Sequence, residues 1–512
     1  MPERRVNTAR TTLYVTLVIF ASKGVGFVRD MIRAAYFGTS VANDAYVGAY
    51  TLFYIPILLL TSMITSTMIP LYIDARAEGG DKLANRFASN TINLFSLMAI
   101  ALSLLMMVFA RPLCQLIFQG YDQQRLDMTV HMTNIMLPSL VFVLISTMLS
   151  SVLNATKHFV AAQMAGFGLS LGMIGATIFL SPVIGSDALA WGIFIAGILQ
   201  ALILLPALRR DFRYTMVFQP KDPRFIKVMT LGLPAFMSMA VTEMSHTVDQ
   251  AISSTLGKGA ISALDYGYRL IAFITGVIGV PVVTIMFSRM SERESAQDRE
   301  GIKVIAMQAV EVLTMVLLPI VVLCCVLSDD IIRVVYTRGA FNEQSMYLTS
   351  GVFFCYLIGV VSFCVSDLLN RAFHSMQKTR LTMWVSLFVM ITNAGLSILI
   401  AHFIGVNGLA LGTVISSFMG TAILLVSLRK HLGKLGLKSV AIEIGKIMLA
   451  GGAALVLSLL LRNLMAGRND LLQVLLRLVA SGGAGLLAYL AVLKLLNARQ
   501  LSFLKAIVGR KS

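Results

Sequence analysis

The chain has 512 residues, of which 57% are hydrophobic and 13% charged, with a net charge of +17. Soluble domains carry about a quarter charged residues, so this composition excludes a soluble multidomain protein and points to an integral membrane protein. The positive balance alone would suit a nucleic-acid binder, but its placement along the chain excludes that reading.

Apolar stretches long enough to cross roughly 30 Å of hydrocarbon recur near 11–37, 44–74, 87–110, 129–153, 159–181, 187–208, 225–256, 261–288, 304–327, 344–370, 379–402, 407–428, 440–461 and 471–496. The expected fold is therefore an all-α polytopic membrane protein of fourteen transmembrane helices. The first run lacks a small-residue cleavage site after a clean apolar core and is read as a retained helix, not a signal peptide. With the N-terminus inside, 30 Lys and Arg lie in the cytoplasmic segments or at the cytoplasmic ends of spans and 7 in the external ones, while Lys23, Arg29, Arg33, Arg269 and Arg477 lie deeper within spans. That asymmetry is the positive-inside pattern, and it places both termini in the cytoplasm.

The first span carries Ser22-Lys23-Gly24-Val25-Gly26-Phe27-Val28-Arg29-Asp30-Met31-Ile32-Arg33. Each cation at the centre of a bilayer costs about 2.5–3.5 kcal/mol, so such groups face a bundle interior or a polar cavity. The two glycines weaken the helix and suggest a bend. The bland alternative to a ligand-facing role is that Asp30 pairs with Arg33, and Asp265 with Arg269 in the eighth span, so that the charges only lock helices together.

Further along, the sequence repeats itself. Leu153-Asn154-Ala155-Thr156-Lys157-His158 is answered by Leu369-Asn370-Arg371-Ala372-Phe373-His374, Ala188-Leu189-Ala190-Trp191-Gly192 by Gly408-Leu409-Ala410-Leu411-Gly412, Leu208-Arg209-Arg210 by Leu428-Arg429-Lys430, and Phe118-Gln119-Gly120 by Thr337-Arg338-Gly339. Offsets of 216 to 220 residues over four blocks imply a duplicated unit of six spans. An even span count keeps the copies parallel, an organisation typical of transporters with a site between lobes. The expected division is an N-terminal lobe over 1–210, a basic cytoplasmic linker over 211–224, a C-terminal lobe over 225–430, and spans thirteen and fourteen with a cytoplasmic tail over 431–512.

The seventh span presents Glu243, His246 and Asp249 within a 120° arc, at i, i+3 and i+6. The eighth opens Asp265-Tyr266-Gly267-Tyr268-Arg269, with Asp265 and Arg269 one turn apart. Together with the first two spans these would enclose a charged cavity. Glu311 reads as interfacial, and Arg477, near the outer end of span fourteen, as a snorkelling cation. The five cysteines show neither CxxC nor metal-ligand spacing and read as packing residues. No GxxxxGK[ST], HExxH or Ser/His/Asp pattern is present, so neither an ATP engine nor an enzyme is encoded. A cation-lined cavity suits a phosphate-bearing substrate, with Arg able to hold phosphate oxygens bidentately.

Ser22-Lys23-x-x-Gly26-Phe27-x-Arg29-Asp30, Tyr36-Phe37-Gly38, Asp44-Ala45-Tyr46 and Tyr336-x-Arg338-Gly339-x-Phe341 resemble the MurJ family of lipid II flippases, within the multidrug/oligosaccharidyl-lipid/polysaccharide exporter superfamily. The resemblance implies that Arg29 and Arg269 engage the substrate diphosphate, that Lys23 occupies a position commonly Arg, and that Asp44 is an acidic residue near the external end of the cavity. It also implies a sodium site whose ligands would be Asp249, Asn393, Thr413 and the Leu409 carbonyl. Ser397 stands where some members have Asp, which leaves a proton on Glu243 or Asp249 as the other coupling ion. Members often carry an Arg pair in span two, where this chain reads Ile55-Pro56-Ile57-Leu58-Leu59-Leu60.

The function expected from that resemblance is alternating-access transport of a lipid-linked diphosphate sugar, lipid II, across the bacterial inner membrane, driven by membrane potential or an ion gradient. No cofactor and no nucleic acid are expected. The partners would be the lipid substrate and the cell-wall synthesis machinery, with the protein itself a monomer. Alternatives are a flippase for another polyprenyl-diphosphate-linked polysaccharide unit, a cation-coupled multidrug exporter, and a membrane scaffold.

Overall fold

The computed structural model describes residues 8–209, 212–376, 378–465, 467 and 470–499. The chain ends and the junction at 210–211, which the expected lobe and linker boundaries include, lie outside the described residues. All regular structure among the described residues is helical. Hydrocarbon offers no partner for backbone N–H and C=O groups, so a spanning segment must satisfy them internally, and the helix does so. Eleven segments of the described residues are long and apolar enough to cross a membrane.

The chain forms two compact units, 1–262 with 338–341 and 263–337 with 342–512. The first contains α1 (Thr8–Phe37), α2 (Val41–Ile117), α3 (Gln123–Met136), α4 (Leu140–Ala155), α5 (Phe159–Gln163), α6 (Ala165–Ile184), α7 (Asp187–Leu208) and α8 (Pro223–Ser254). α2 is 77 residues long but is broken at Gly79 and Gly80, the latter with φ +67°. Glycine meets no Cβ penalty in that left-handed region, and the two apolar arms part there. Both arms run past the apolar stretches that mark them in the sequence. The core of this unit is built on α2, which packs against α3, α4 and α8, while α6 packs against α7 and α1. Its buried aromatics include Phe53, Phe87, Phe95 and Phe118.

The second unit contains most of α9 (Ala260–Ile274), then α10 (Val280–Ser295), α11 (Arg299–Val326), α12 (Ser328–Tyr336), α13 (Glu343–Ser375), α14 (Thr379–Ile404), α15 (Val406–Leu432), α16 (Leu437–Leu464) and α17 (Leu471–Leu495). A π-helical turn over Thr275–Gly279 joins α9 to α10 just before Pro281. α13 packs on α15, α14 on α15, and α16 on both α17 and α11.

Local conformations recur 220 residues apart. Gly185 (φ +61°, ψ −133°) ends α6 with its N–H on the Ser181 carbonyl, and Gly405 (φ +63°, ψ −141°) ends α14 with its N–H on Ala401. Asp122 caps α3 by accepting from the Arg125 amide, as Asn342 caps α13 by accepting from the Ser345 amide. Thr156 and Met376 close α4 and α13 on the carbonyls four residues earlier. The same turn chemistry thus serves both copies of the sequence repeat. The compact units are not divided where the repeat is, because α8, the first span of the second copy, packs on α2.

The five cysteines are free, three of them buried. Two sequence expectations are overturned. Arg477 does not snorkel: it is buried, and its guanidinium is forked on Asp330, itself 2% exposed. Glu311 is buried at 3% exposure inside the second unit, not interfacial.

Candidate functional site

The first cation group lies on α1, whose helix runs unbroken through Gly24 and Gly26. α1 packs on α6, where Gly26 and Gly166 leave room for Ser170 and Ser22. Lys23 is exposed on this helix. Arg29 Nε donates to Asp30 Oδ1 at 3.1 Å and its Nη2 to Oδ1 and Oδ2 at 3.1 and 3.3 Å. The Arg29 side chain keeps 16% of its surface open, against 10% for Asp30. Asp30 therefore neutralises Arg29. Arg33, one turn further along, is 2% exposed with its guanidinium 5.3 Å from the Tyr46 ring centre. A cation on an aromatic face in a desolvated setting gains about 2 kcal/mol, which fits Arg33 to a packing role.

Asp44 stands in the first turn of α2, whose own N-terminus is capped by Ser40. Its carboxylate accepts from the Gly259 amide at 2.6 Å, from the Ser262 amide at 3.0 Å and from the Ser262 hydroxyl. These donors sit just before and within the first turn of α9, so Asp44 is a long-range helix cap, favoured by the positive end of the helix. Tyr121 adds a 2.9 Å hydrogen bond to the Asp44 carbonyl. With 0% exposure, Asp44 is part of the framework in this state and offers a ligand no surface.

Two turns along α9, Arg269 Nε donates to Asp265 Oδ2 at 2.8 Å. This is the i, i+4 pair that the spacing suggests, with Arg269 25% open and Asp265 12%. The arrangement on α1 is repeated in kind: a half-enclosed guanidinium with a carboxylate of its own helix. Carboxylate and phosphate oxygens are both ligands that a guanidinium takes by such charge-assisted hydrogen bonds.

α8 carries Glu243, His246 and Asp249 on one continuous helix, with Asp249 2% exposed and the other two half-buried. Among the expected ion ligands of the second unit, Asn393 Oδ1 accepts from Ser397 Oγ at 3.2 Å, and Thr413 Oγ1 donates to the Leu409 carbonyl at 3.0 Å. α14 and α15 come close here, since a Cβ at Gly412 would meet Ser397 Oγ at 2.6 Å. Amide, hydroxyl and carbonyl oxygens are the donor type a hard monovalent cation takes. Among the described residues no group of three or more His, Cys, Asp and Glu could hold a metal ion.

Within the first unit a cavity of about 420 Å³ lies between the end of α2's first arm and the start of α8, lined by Ser66, Thr67, Asp74, Lys227 and Thr230 among others. Neither it nor the Asp330–Arg477 pair is marked by any sequence pattern; each joins residues more than 140 positions apart. An Asp329-Asp330 doublet beside an apolar segment, with Arg462, Arg468 and Arg477 the cations near the matching ends of the last two spans, is the signal that could have suggested the pair.

The family model described as "Lipid II flippase MurJ" matches residues 33–479. A "Probable lipid II flippase MurJ" of Rhizobium tropici is 29% identical over 430 residues, covering 80% of this chain and 79% of that protein. The "Lipid II flippase MurJ" of Burkholderia cenocepacia is 25% identical over 439 residues, covering 83% and 84%. Among solved structures, "Lipid II flippase MurJ, inward closed conformation" superposes with a TM-score of 0.78 at 24% identity over 97% of this chain and 100% of that one. An inward-facing multidrug resistance MATE family transporter of the MOP superfamily gives 0.71 at 13% identity over 83% and 98%. These two likenesses concern the fold.

Proposed function

The chain belongs to the lipid II flippase MurJ family, and from that premise we propose that it moves lipid II from the cytoplasmic to the outer leaflet of the bacterial inner membrane. The observation that carries the reading is the pair of guanidiniums on apolar helices, Arg29 and Arg269, each held ready by an adjacent carboxylate and each partly open. An arginine at membrane depth is costly unless it binds an anion. Here the carboxylate serves when substrate is absent, and the diphosphate takes its place when substrate is bound. Lys23, exposed on the same helix as Arg29, adds a point charge. Span two supplies no Arg pair, so these three cations carry the anion binding.

On this reading the chain crosses the membrane fourteen times: the eleven apolar segments supply twelve crossings when the two arms of α2 count separately, and α1 and α8 are taken as two more. The first twelve form two parallel lobes and α16–α17 an added pair that gives the polyprenyl tail an apolar surface. Both termini face the cytoplasm, following the charge asymmetry of the loops. Transport is by alternating access. Moving one charge across 100 mV is worth about 2.3 kcal/mol, so an inside-negative potential favours outward passage of the diphosphate and inward return of the empty cationic site. If an ion is coupled as well, Asp249, Asn393, Thr413 and the Leu409 carbonyl would hold sodium, and Glu243 or Asp249 would hold a proton.

Purified protein reconstituted in vesicles with lipid II tests the proposal. Wild type is expected to expose lipid II on the far leaflet, and Arg29→Ala or Arg269→Ala to reduce the rate to background while retaining wild-type melting behaviour. Undiminished flipping by both variants would sink the diphosphate-clamp reading.

A further inference from the structure

The segment between α7 and α8 has the composition of a free basic linker, but the structure ties it down. Thr215 N donates to Ser89 Oγ at 3.1 Å, and Asn93 Nδ2 donates to the Val217 carbonyl at 2.8 Å. Asn90 accepts from Gln219 N at 2.6 Å and donates to the Gln219 carbonyl at 2.9 Å. Bonds at 215, 217 and 219 alternate with period two, the mark of an extended chain, in which the side chains of residues 214, 216 and 218 share one face. That face is Tyr214, Met216 and Phe218, exposed at 55%, 94% and 57%. Arg213 and Lys221 flank it and are exposed as well.

An apolar face with this exposure is unusual for a strap turned to water. Its height along α2 explains it. Within the apolar stretch 87–110, the second arm of α2 carries its last amide side chain at Asn93, and from Leu94 to Ala110, a 17-residue run, its only polar residues are Ser96 and Ser103. At 1.5 Å per residue the run spans about 25 Å, so the hydrocarbon edge lies near Leu94. Ser89, Asn90 and Asn93 precede that edge by no more than about 8 Å, within the headgroup layer of a bilayer. Tyr214, whose hydroxyl donates to Asn93 Oδ1 at 2.7 Å, then has its ring at the level where interfacial aromatics settle.

We propose that residues 213–221 form a membrane-surface strap: Met216 and Phe218 insert at the acyl boundary while Arg213 and Lys221 bind anionic phospholipid headgroups. Each basic residue near an anionic surface adds attraction of the kind that polybasic segments use. The proposal is independent of the transported substrate.

The test uses the full chain with Trp191 and Trp384 replaced by Phe, in nanodiscs of phosphatidylcholine with or without phosphatidylglycerol, and lipids brominated near the headgroup end of the acyl chain. Met216→Trp and Phe218→Trp are expected to be quenched at least two-fold more than Thr215→Trp. The difference should grow with phosphatidylglycerol and fall at least two-fold in Arg213→Gln/Lys221→Gln. Equal quenching at 215 and 216, or none at 216 and 218, would overturn the strap; the latter is the result if a soluble protein covers this face. Quenching indifferent to phosphatidylglycerol would overturn its anionic-lipid specificity.

Discussion

Asp44 shows how much one carboxylate can organise. Its oxygens take two amides and a hydroxyl at the start of α9, donors with no intrahelical partner. Asp44→Ala would leave them buried and unsatisfied, and each such group costs about 1–3 kcal/mol; a loss of several degrees in melting temperature is expected in detergent, with Asp44→Asn intermediate. An unchanged melting temperature would contradict the capping role. The Asp330–Arg477 pair makes a stronger case at the same scale. Arg477→Met alone leaves the buried Asp330 carboxylate with only the Arg462 guanidinium, 4.0 Å away, and should cost about 3 kcal/mol, whereas Arg477→Met with Asp330→Leu should recover most of it. The melting temperatures of the two variants and wild type distinguish this from mere loss of packing. The cations Lys23, Arg29 and Arg269 were legible in the sequence because charge stands out in an apolar run. Asp44's partners and Arg477's were not, since they lie 215 and 147 residues away and no local period encodes them.

Among the helices, α17 is attached to α11 by a specific defect. Pro319 has no N–H, so the Met315 carbonyl four residues earlier lacks its helical donor; Tyr489 of α17 donates to it at 2.7 Å. Arg462 of α16 likewise donates to the Val326 carbonyl at the end of α11, 2.6 Å away. The added helix pair is thus registered on carbonyls that α11 cannot satisfy itself. Tyr489→Phe should cost about 1 kcal/mol, and less than half of that in a Pro319→Ala background, where the helix bond is restored; additive losses in the double-mutant cycle would contradict the account. At the α3 N-terminus the Arg125 amide, bonded to Asp122, holds its carboxyl below the usual range. A folded-state pKa below the unfolded one adds stability above the unfolded value, near 4, that is lost as pH falls through the folded value. The melting-temperature gap between wild type and Asp122→Ala should therefore be full at pH 7 and narrow below pH 4. The existence and order of the spans were readable from hydropathy. Their ends were not: α2 continues through Ala75-Arg76-Ala77-Glu78 because all four are good helix formers, and the break comes only at Gly79 and Gly80.

For the whole molecule, the sequence repeat is matched by turn conformations 220 residues apart, while compactness follows packing and assigns α8 to the first unit. Repeat and packing need not coincide, because a helix joins the unit in which it buries most surface. Ion coupling is a separate matter from the anion site. Transport unchanged both by replacing sodium and by Asp249→Asn would remove the proposed cation site and leave the membrane potential as driving force. The central claim concerns the cargo, and depletion of the protein in its own bacterium tests it most directly, with the lipid-linked precursors of the inner leaflet identified by mass. The account predicts accumulation of lipid II there, reversed by wild type and not by Arg29→Ala. Accumulation of a different polyprenyl-diphosphate sugar, with lipid II reaching the outer leaflet at its normal rate, would contradict it.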